Sequence, residues 1–220
     1  MEYKRLTLLC GHYGSGKTNV ALNFAYDIRK NADNVAIADL DIVNPYFRTK
    51  DSATELFQKG IRLICSEYAG TNVDIPALPG EMYSLTDDKS LKAVIDIGGD
   101  DRGALALGRL SPLIMAEDNY EMLLVINRFR PLTSDAQSTI EVMREIEAAG
   151  KISFTGIVNN SNLGEETTAE DVLSSIKYAD EVSYITRLPI MCTTVNEKLY
   201  DELKEKIVDL FPLKLQGKLK

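Results

Sequence analysis

The sequence contains only three cysteines and one histidine, and no apolar run approaches the about 20 residues that a membrane-spanning helix needs. None of the cysteines belongs to a C-x-x-C pair, so cysteine usage favours a reducing compartment and we expect a cytoplasmic protein. No basic segment followed by an apolar one precedes the first apolar strand, so we expect no signal peptide.

Basic residues are outnumbered by acidic ones. The chain has 25 Lys and Arg against 33 Asp and Glu, which gives a net charge of −8. Nonspecific binding to nucleic acid needs a basic face, so we expect no nucleic-acid partner. The 220 residues are 45% hydrophobic and 26% charged, an ordinary globular composition. With no repeat or linker to divide them, we expect one domain over residues 1–220.

One stretch matches a phosphate-binding pattern at every fixed position. Residues 11–18 read Gly-His-Tyr-Gly-Ser-Gly-Lys-Thr, which fits G-x-x-x-x-G-K-[ST]. The apolar run Leu6–Cys10 before it predicts a buried strand, and Asn19–Ala25 after it predicts a helix. The glycines permit a tight turn whose backbone N–H groups face inwards and bind phosphate together with the helix N-terminus. A glycine-rich turn without a ligand is the alternative.

Within this loop Lys17 supplies a positive charge for the outer phosphates, and Thr18 supplies a hydroxyl for Mg²⁺. The residues that we expect to contact the nucleotide here are Gly11, Gly14, Ser15, Gly16, Lys17, Thr18 and Asn19.

Strand and helix patterns alternate along the chain. The later predicted strands are 34–39, 61–65, 93–97, 122–126, 152–158 and a short one near 188–190. The later predicted helices are 47–58, 134–149, 168–178 and 196–210, with Ser134 and Thr168 as caps, and 66–80 is predicted as a long loop. The strands are continuous apolar runs, which a sheet buried on both faces requires. We therefore predict a three-layer α/β/α architecture with a mostly parallel sheet, the P-loop NTPase fold.

Acidic residues follow two of these strands. Asp39 and Asp41 end the second strand, and Asp96 ends the fourth. Ligands bind at the carboxyl ends of parallel strands, and a buried carboxylate is costly unless a charge meets it. Mg²⁺ on a phosphate would meet Asp39 and Asp96, and Asp41 could orient a water. The alternative is that these aspartates only cap the turns that follow.

Residues 96–99 read Asp-Ile-Gly-Gly, a D-x-x-G pattern. We expect the backbone N–H of Gly99 to reach the terminal phosphate, so that this loop relaxes when the phosphate leaves.

These motifs, with Gly156-Ile157-Val158-Asn159-Asn160, resemble the MinD/ParA branch of the P-loop NTPases over nearly the whole chain. That SIMIBI-class family of CobQ/CobB/MinD/ParA nucleotide-binding domains includes the nitrogenase iron protein and nickel-insertion ATPases. The resemblance implies that Asn160 contacts adenine, Asp39 lies on the metal side and Asp41 orients water. It also implies switch segments at 41–48 and 98–103, and a loop 191–194 that closes over the base.

The chain departs from this family at one position. Many members have a lysine after the first glycine of the loop, which reaches across a nucleotide-bound dimer, whereas this chain has His12. A neutral imidazole supplies no permanent cation. Arg48 and Arg102, in the two switch segments, are candidate arginine fingers, or else ordinary surface arginines.

The base is predicted to be adenine. The guanine signature N-K-x-D is missing, and its nearest strand-end counterpart, Asn127-Arg128-Phe129-Arg130, has no aspartate. We expect the cysteines to be core residues rather than metal ligands, and residues 211–220 to be a frayed end.

The sequence thus predicts a slow ATPase or nucleotide switch that requires ATP and Mg²⁺, with Lys17 and Asp41 as catalytic residues and Thr18, Asp39 and Asp96 at the metal. It implies a homodimer or a partner protein and no membrane span. Two alternatives are a nucleotide-gated binding module that does not hydrolyse, and an ATP-dependent ligase of the cobyrinate amidase or dethiobiotin type.

Overall fold

Apolar runs form a central parallel sheet in the protein, whose computed structural model describes residues 1–40, 50–65, 80–99 and 101–215. For residues 50–52, 101, 102, 104 and 105 the backbone alone is described. The strands are β1 (Leu6–Cys10), β2 (Val35–Asp39), β3 (Ile61–Cys65), β4 (Lys92–Asp96), β5 (Tyr120–Ile126), β6 (Gly156–Asn159), β7 (Ile190–Asn196) and β8 (Leu210–Leu213). Within the described ranges their order is β3-β2-β4-β1-β5-β6-β7-β8, and all neighbours pair in parallel.

Helices cover the sheet on both faces. They are α1 (Lys17–Arg29), α2 (Lys50–Gln58), α3 (Ser84–Asp87), α4 (Asp101–Glu117), α5 (Ala136–Gly150), α6 (Ala169–Thr186) and α7 (Glu197–Leu203). Successive residues of a strand point to opposite faces, so Leu8 of β1 packs in one apolar cluster and Leu9 in another. The first cluster contains side chains of α4, α5 and α6, and the second contains side chains of α1 and α2. The predicted three-layer architecture is confirmed.

The sixth strand is shorter than predicted, because β6 starts only at Gly156 rather than at residue 152. The Thr155 hydroxyl accepts a hydrogen bond from the Met122 N–H at 2.9 Å, so a side chain replaces the next rung of the backbone ladder. Ile152 and Phe154 are nevertheless buried, which is why this segment reads as a strand in the sequence.

The C-terminal part departs furthest from the prediction. The helix expected over 196–210 ends at Leu203, and β8 follows it and pairs with β7. Leu213 is buried, and the Phe211 ring packs edge-on against Phe24 of α1 with 5.0 Å between centroids. Residues 210–213 therefore form an edge strand and not a frayed end, and Pro212 is tolerated there because an edge strand can lack a donor. Residues 216–220 lie outside the described part.

The seventh strand also corrects an expectation about the site. Residues 191–194, expected as a loop over the base, lie inside β7. Thr193 and Thr194 are buried there, and the backbone of β7 is paired on one side with β6 and on the other with β8.

Two helices differ from the sequence-based assignment. Asp135 rather than Ser134 caps α5, since its carboxylate accepts the Ser138 N–H at 2.9 Å. Helix α4 has no predicted counterpart, and Pro112 lies within it. By contrast, the cap of α6 is confirmed, because Thr168 and Asp171 form a reciprocal capping box. Among the described residues no helix is both long and apolar enough to cross a bilayer.

Candidate functional site

The loop between β1 and α1 presents a group of backbone donors. Only one turn closes inside it, from the Ser15 N–H to the His12 carbonyl at 3.1 Å. The N–H groups of Gly14, Gly16, Lys17 and Thr18 donate to no acceptor among the described residues, and no side chain caps the N-terminus of α1. Free donors at a helix N-terminus favour the binding of an anion.

Gly16 is required by the shape of this loop. Its φ of 85° is left-handed, and a Cβ there would lie 2.4 Å from Nδ2 of Asn160. Any side chain would therefore strain the backbone and displace Asn160. The last glycine of the motif thus lets the chain turn into α1 while it packs against Asn160, the residue that follows β6.

Lys17 is held at the centre of the loop. Its side chain is only 7% exposed, and Nζ donates to the His12 carbonyl at 3.2 Å. The D-x-x-G segment lies directly against it, because a Cβ on Gly99 would fall 2.9 Å from Nζ of Lys17 and 2.7 Å from the Tyr13 nitrogen. The structure therefore brings Gly99 to the phosphate loop, and its contact with a phosphate stays a prediction.

The predicted metal ligands lie together on two neighbouring strands. The Thr18 hydroxyl donates to Oδ2 of Asp96 at 2.6 Å. Asp39 is the register partner of Asp96 between β2 and β4, and both side chains are buried. No cluster of three or more His, Cys, Asp or Glu in the described ranges could hold a metal by itself. The hydroxyl and carboxylates fit Mg²⁺, which takes few protein oxygens and completes its shell with phosphate and water.

Asn160 joins the phosphate loop to the sheet. Its Nδ2 donates to the Ser15 carbonyl at 2.6 Å, and its Oδ1 accepts from the Thr194 hydroxyl at 2.5 Å. The residue is 2% exposed. In this structure the amide of Asn160 holds the phosphate loop through its bond to Ser15. The contact with adenine that the family resemblance implies stays a prediction.

A cavity of about 340 Å³ opens beside the loop. Its lining includes Thr18 and Asn19 at the start of α1, together with Leu213 and Leu215 of the C-terminal segment. The phosphate loop and the last strand of the sheet thus border the same cavity.

Sequence reasoning missed one residue at the loop. Nε of Arg130 donates to the Gly14 carbonyl at 2.8 Å. The two residues are 116 positions apart, so no local pattern indicates the contact. It follows from the topology, because β1 and β5 are neighbours and their carboxyl ends lie side by side.

Some of the predicted site lies outside the described residues. This holds for Asp41, for Arg48 and for the first switch segment that contains them, and for the long loop up to residue 79. The side chain of Arg102 is likewise not described.

Cys10 of β1 and Cys192 of β7 are buried, and Cys65 at the end of β3 is half-buried. Burial raises the pKa of Cys10 and of Cys192 to about 12, so both stay protonated at neutral pH. This agrees with their expected place in the core.

The parallel sheet with helices on both faces is shared with solved structures. No protein-family model matches the chain, and no curated protein matches it. Among solved structures it is similar to the signal recognition particle receptor FtsY from Elizabethkingia anophelis in complex with GDP, with TM-score 0.54 and 15% identity over 99% of this chain and 61% of that one.

FtsY from Mycoplasma mycoides gives TM-score 0.57 and 19% identity over 87% of this chain and 60% of that one. For the cell division protein FtsY from Thermotoga maritima the TM-score is 0.55 and the identity is 19%, over 89% of this chain and 63% of that one. The chain thus spans about three-fifths of the length of these proteins. At such identities the likeness concerns the fold, and it identifies this fold as that of the P-loop NTPases.

Proposed function

We propose that this protein binds a nucleoside triphosphate with Mg²⁺ and hydrolyses it slowly, as an ATPase or nucleotide switch of the MinD/ParA type. The observation that carries the proposal is the pairing of free loop donors with the hydrogen bond from Thr18 to Asp96 at 2.6 Å. The first feature suits phosphate oxygens and the second suits the cation that accompanies them.

Each group has a distinct task in the proposed reaction. The loop N–H groups and Lys17 hold the phosphates and stabilise the charge that develops as the terminal P–O bond breaks. Thr18 and Asp96 would hold Mg²⁺, with Asp39 beside them, and the ion supplies further neutralisation of phosphate charge when bound. Asp41 is proposed to orient the attacking water.

Adenine is the proposed base. Asn160 and Asn162 line the cavity. Beyond its hydrogen bonds within the protein, each amide keeps a second N–H and a second oxygen lone pair, the donor and the acceptor that the adenine edge requires. Glu165, a carboxylate that lines the cavity, forms an ion pair with Lys198 at 3.6 Å, and its charge is thereby partly neutralised. The Elizabethkingia structure contains GDP, so guanine nucleotides are the necessary competitors.

Calorimetric titration tests the proposal. We expect ATP with Mg²⁺ to bind, GTP to bind more weakly, and chelation of Mg²⁺ by EDTA to weaken ATP binding. Absence of heat with either nucleotide on folded protein would refute nucleotide binding. Tighter binding of GTP would overturn the choice of base while leaving the phosphate site intact.

Replacing Asp41 by alanine tests hydrolysis apart from binding. We expect Asp41→Ala to keep its affinity for ATP and to lose at least about 100-fold in single-turnover rate, because only positioning of water is removed. Asp33→Ala, an exposed carboxylate after α1, is the control and should hydrolyse at the parent rate. Equal rates in Asp41→Ala and the parent would remove the proposed role.

A nucleotide-gated binding module that does not hydrolyse is the second candidate. It is favoured by His12, which replaces the lysine of many MinD/ParA proteins and donates no permanent charge. Single-turnover hydrolysis measured over a range of protein concentrations separates the two functions. A rate per chain that rises with concentration indicates an ATPase completed by a second copy, and no hydrolysis at any concentration indicates the binding module.

A further inference from the structure

We propose that Arg130 is a positioning residue that fixes the tip of the phosphate loop from the neighbouring strand and adds a permanent positive charge there. The inference rests on the proposed nucleotide site and names a residue that the phosphate-binding motif does not include.

The contact is made to the middle glycine of the loop. Nε of Arg130 donates to the Gly14 carbonyl at 2.8 Å. The side chain also lies close to that residue, since a Cβ on Gly14 would lie 3.5 Å from Nε and 3.8 Å from Cζ. Because this bond holds the carbonyl of Gly14, it fixes the orientation of the peptide between Gly14 and Ser15.

The turn that carries Arg130 is itself firmly built. The Asn127 carbonyl accepts the Arg130 N–H at 3.2 Å and the Thr133 hydroxyl at 2.8 Å. The Asn127 side chain, fully buried, accepts the Phe129 N–H at 3.0 Å and donates to the Asn162 carbonyl at 3.2 Å. These bonds fix the backbone from which the Arg130 side chain extends, and its planar guanidinium loses less entropy per hydrogen bond than a lysine does.

The charge of Arg130 is not neutralised locally. Its guanidinium forms no ion pair with a carboxylate in the described ranges, and only Nε donates to a described acceptor. The terminal nitrogens therefore keep their donors beside a loop whose own free N–H groups include that of Gly14. A permanent cation at this position raises the affinity of the loop for a polyphosphate.

The neighbouring Arg128 provides a matched control. It belongs to the same turn, but its Nη1 donates to the Ser174 carbonyl of α6 at 2.6 Å and not to the loop. We therefore compare Arg130→Gln and Arg130→Lys with Arg128→Gln, using calorimetric titration with Mg²⁺-ATP and Mg²⁺-ADP at several salt concentrations.

We expect Arg130→Gln to weaken ATP binding about 10- to 100-fold, the effect of losing a hydrogen bond to a charged group. The salt dependence of its affinity should become shallower, since one fixed charge is gone. Arg130→Lys should regain the salt dependence and part of the affinity, and Arg128→Gln should bind like the parent. A purely structural role would not give this charge-dependent rescue.

Hydrogen exchange of the protein without nucleotide provides a readout that does not depend on the proposed function. Arg130→Gln should exchange faster than the parent and Arg128→Gln at residues 11–18. If the parent binds no nucleotide, the nucleotide site is wrong, and this exchange still decides whether Arg130 holds the loop. Parent-like affinity and exchange in Arg130→Gln, or equal losses in Arg128→Gln, would overturn the assignment.

Discussion

Lys17→Ala is expected to reduce ATP affinity by at least about 100-fold, because it removes a buried cation placed among the phosphate donors. The ammonium group lies between the His12 carbonyl and the segment that carries Gly99. Titration calorimetry measures the loss directly. Thermal denaturation with and without ATP provides a second measurement, since ligand at 100 times Kd stabilises a protein by about 2.7 kcal/mol.

The control for this variant is Lys30→Ala, which removes an exposed cation just after the same helix. It should bind ATP like the parent. Without nucleotide, Lys17→Ala should melt no lower than the parent, because it exchanges a desolvated charge for a good helix former. Parent-like affinity in Lys17→Ala would show that phosphate is not held at this loop.

Arg5→Met is expected to destabilise the fold by about 3–5 kcal/mol, the usual effect of removing one partner from a buried ion pair. The Arg5 guanidinium is 6% exposed and is paired with Glu117 at the end of α4. It also donates to the carbonyls of Leu85 at 2.8 Å, Asp88 at 3.0 Å and Leu91 at 2.9 Å. The side chain of Arg5, the residue before β1, thereby joins the start of that strand to the segment before β4 and to helix α4. Urea denaturation measures the change in free energy of unfolding.

Lys89→Met is the matched control. Lys89 approaches the same carboxylate of Glu117 at 3.0 Å, but its side chain is 64% exposed. Its loss should change the free energy of unfolding by about 0–1 kcal/mol. Equal losses in the two variants would contradict the distinction between buried and exposed partners.

The same ion pair predicts a dependence of stability on pH. The hydrogen bonds from Arg5 lower the pKa of Glu117, so the carboxylate is more acidic in the folded than in the unfolded chain. The contribution of the ionised Glu117 to the free energy of unfolding is complete above the pKa of the unfolded chain, about 4.3. It is lost as the pH falls through the lowered pKa of the folded protein. Arg5→Met should therefore lose less stability than the parent over this acid range.

The central strands could be predicted from the sequence because their pattern is local. Runs such as 6–10 and 61–65 are apolar and short, and they became β1 and β3 with the same bounds. The capping box at Thr168 was equally local. Helix α4 was missed because Gly103, Gly108 and Pro112 interrupt the pattern, although a parallel sheet needs a crossover between β4 and β5.

The candidate site likewise contains features that a local sequence pattern predicts and contacts that depend on the order of the strands. The phosphate loop is a contiguous motif and was read directly, and Thr18 with Asp96 followed from strand ends that meet at one edge. The contacts of Arg130 with Gly14 and of Asn160 with Thr194 depend on which strands are neighbours. The contribution of β8 to the cavity lining was missed because Pro212 and Gly217 interrupt the pattern of the last ten residues, which therefore indicated a frayed end.

Pro212 has a consequence for how molecules of this protein meet. The Asp209 carbonyl accepts the Thr193 N–H at 3.1 Å, so position 209 and alternate positions after it face β7, and position 212 faces away. On the outer edge of β8, Pro212 therefore offers no N–H where another residue would donate a hydrogen bond. A strand from a second molecule could not pair continuously along this edge, which protects β8 against edge-to-edge aggregation.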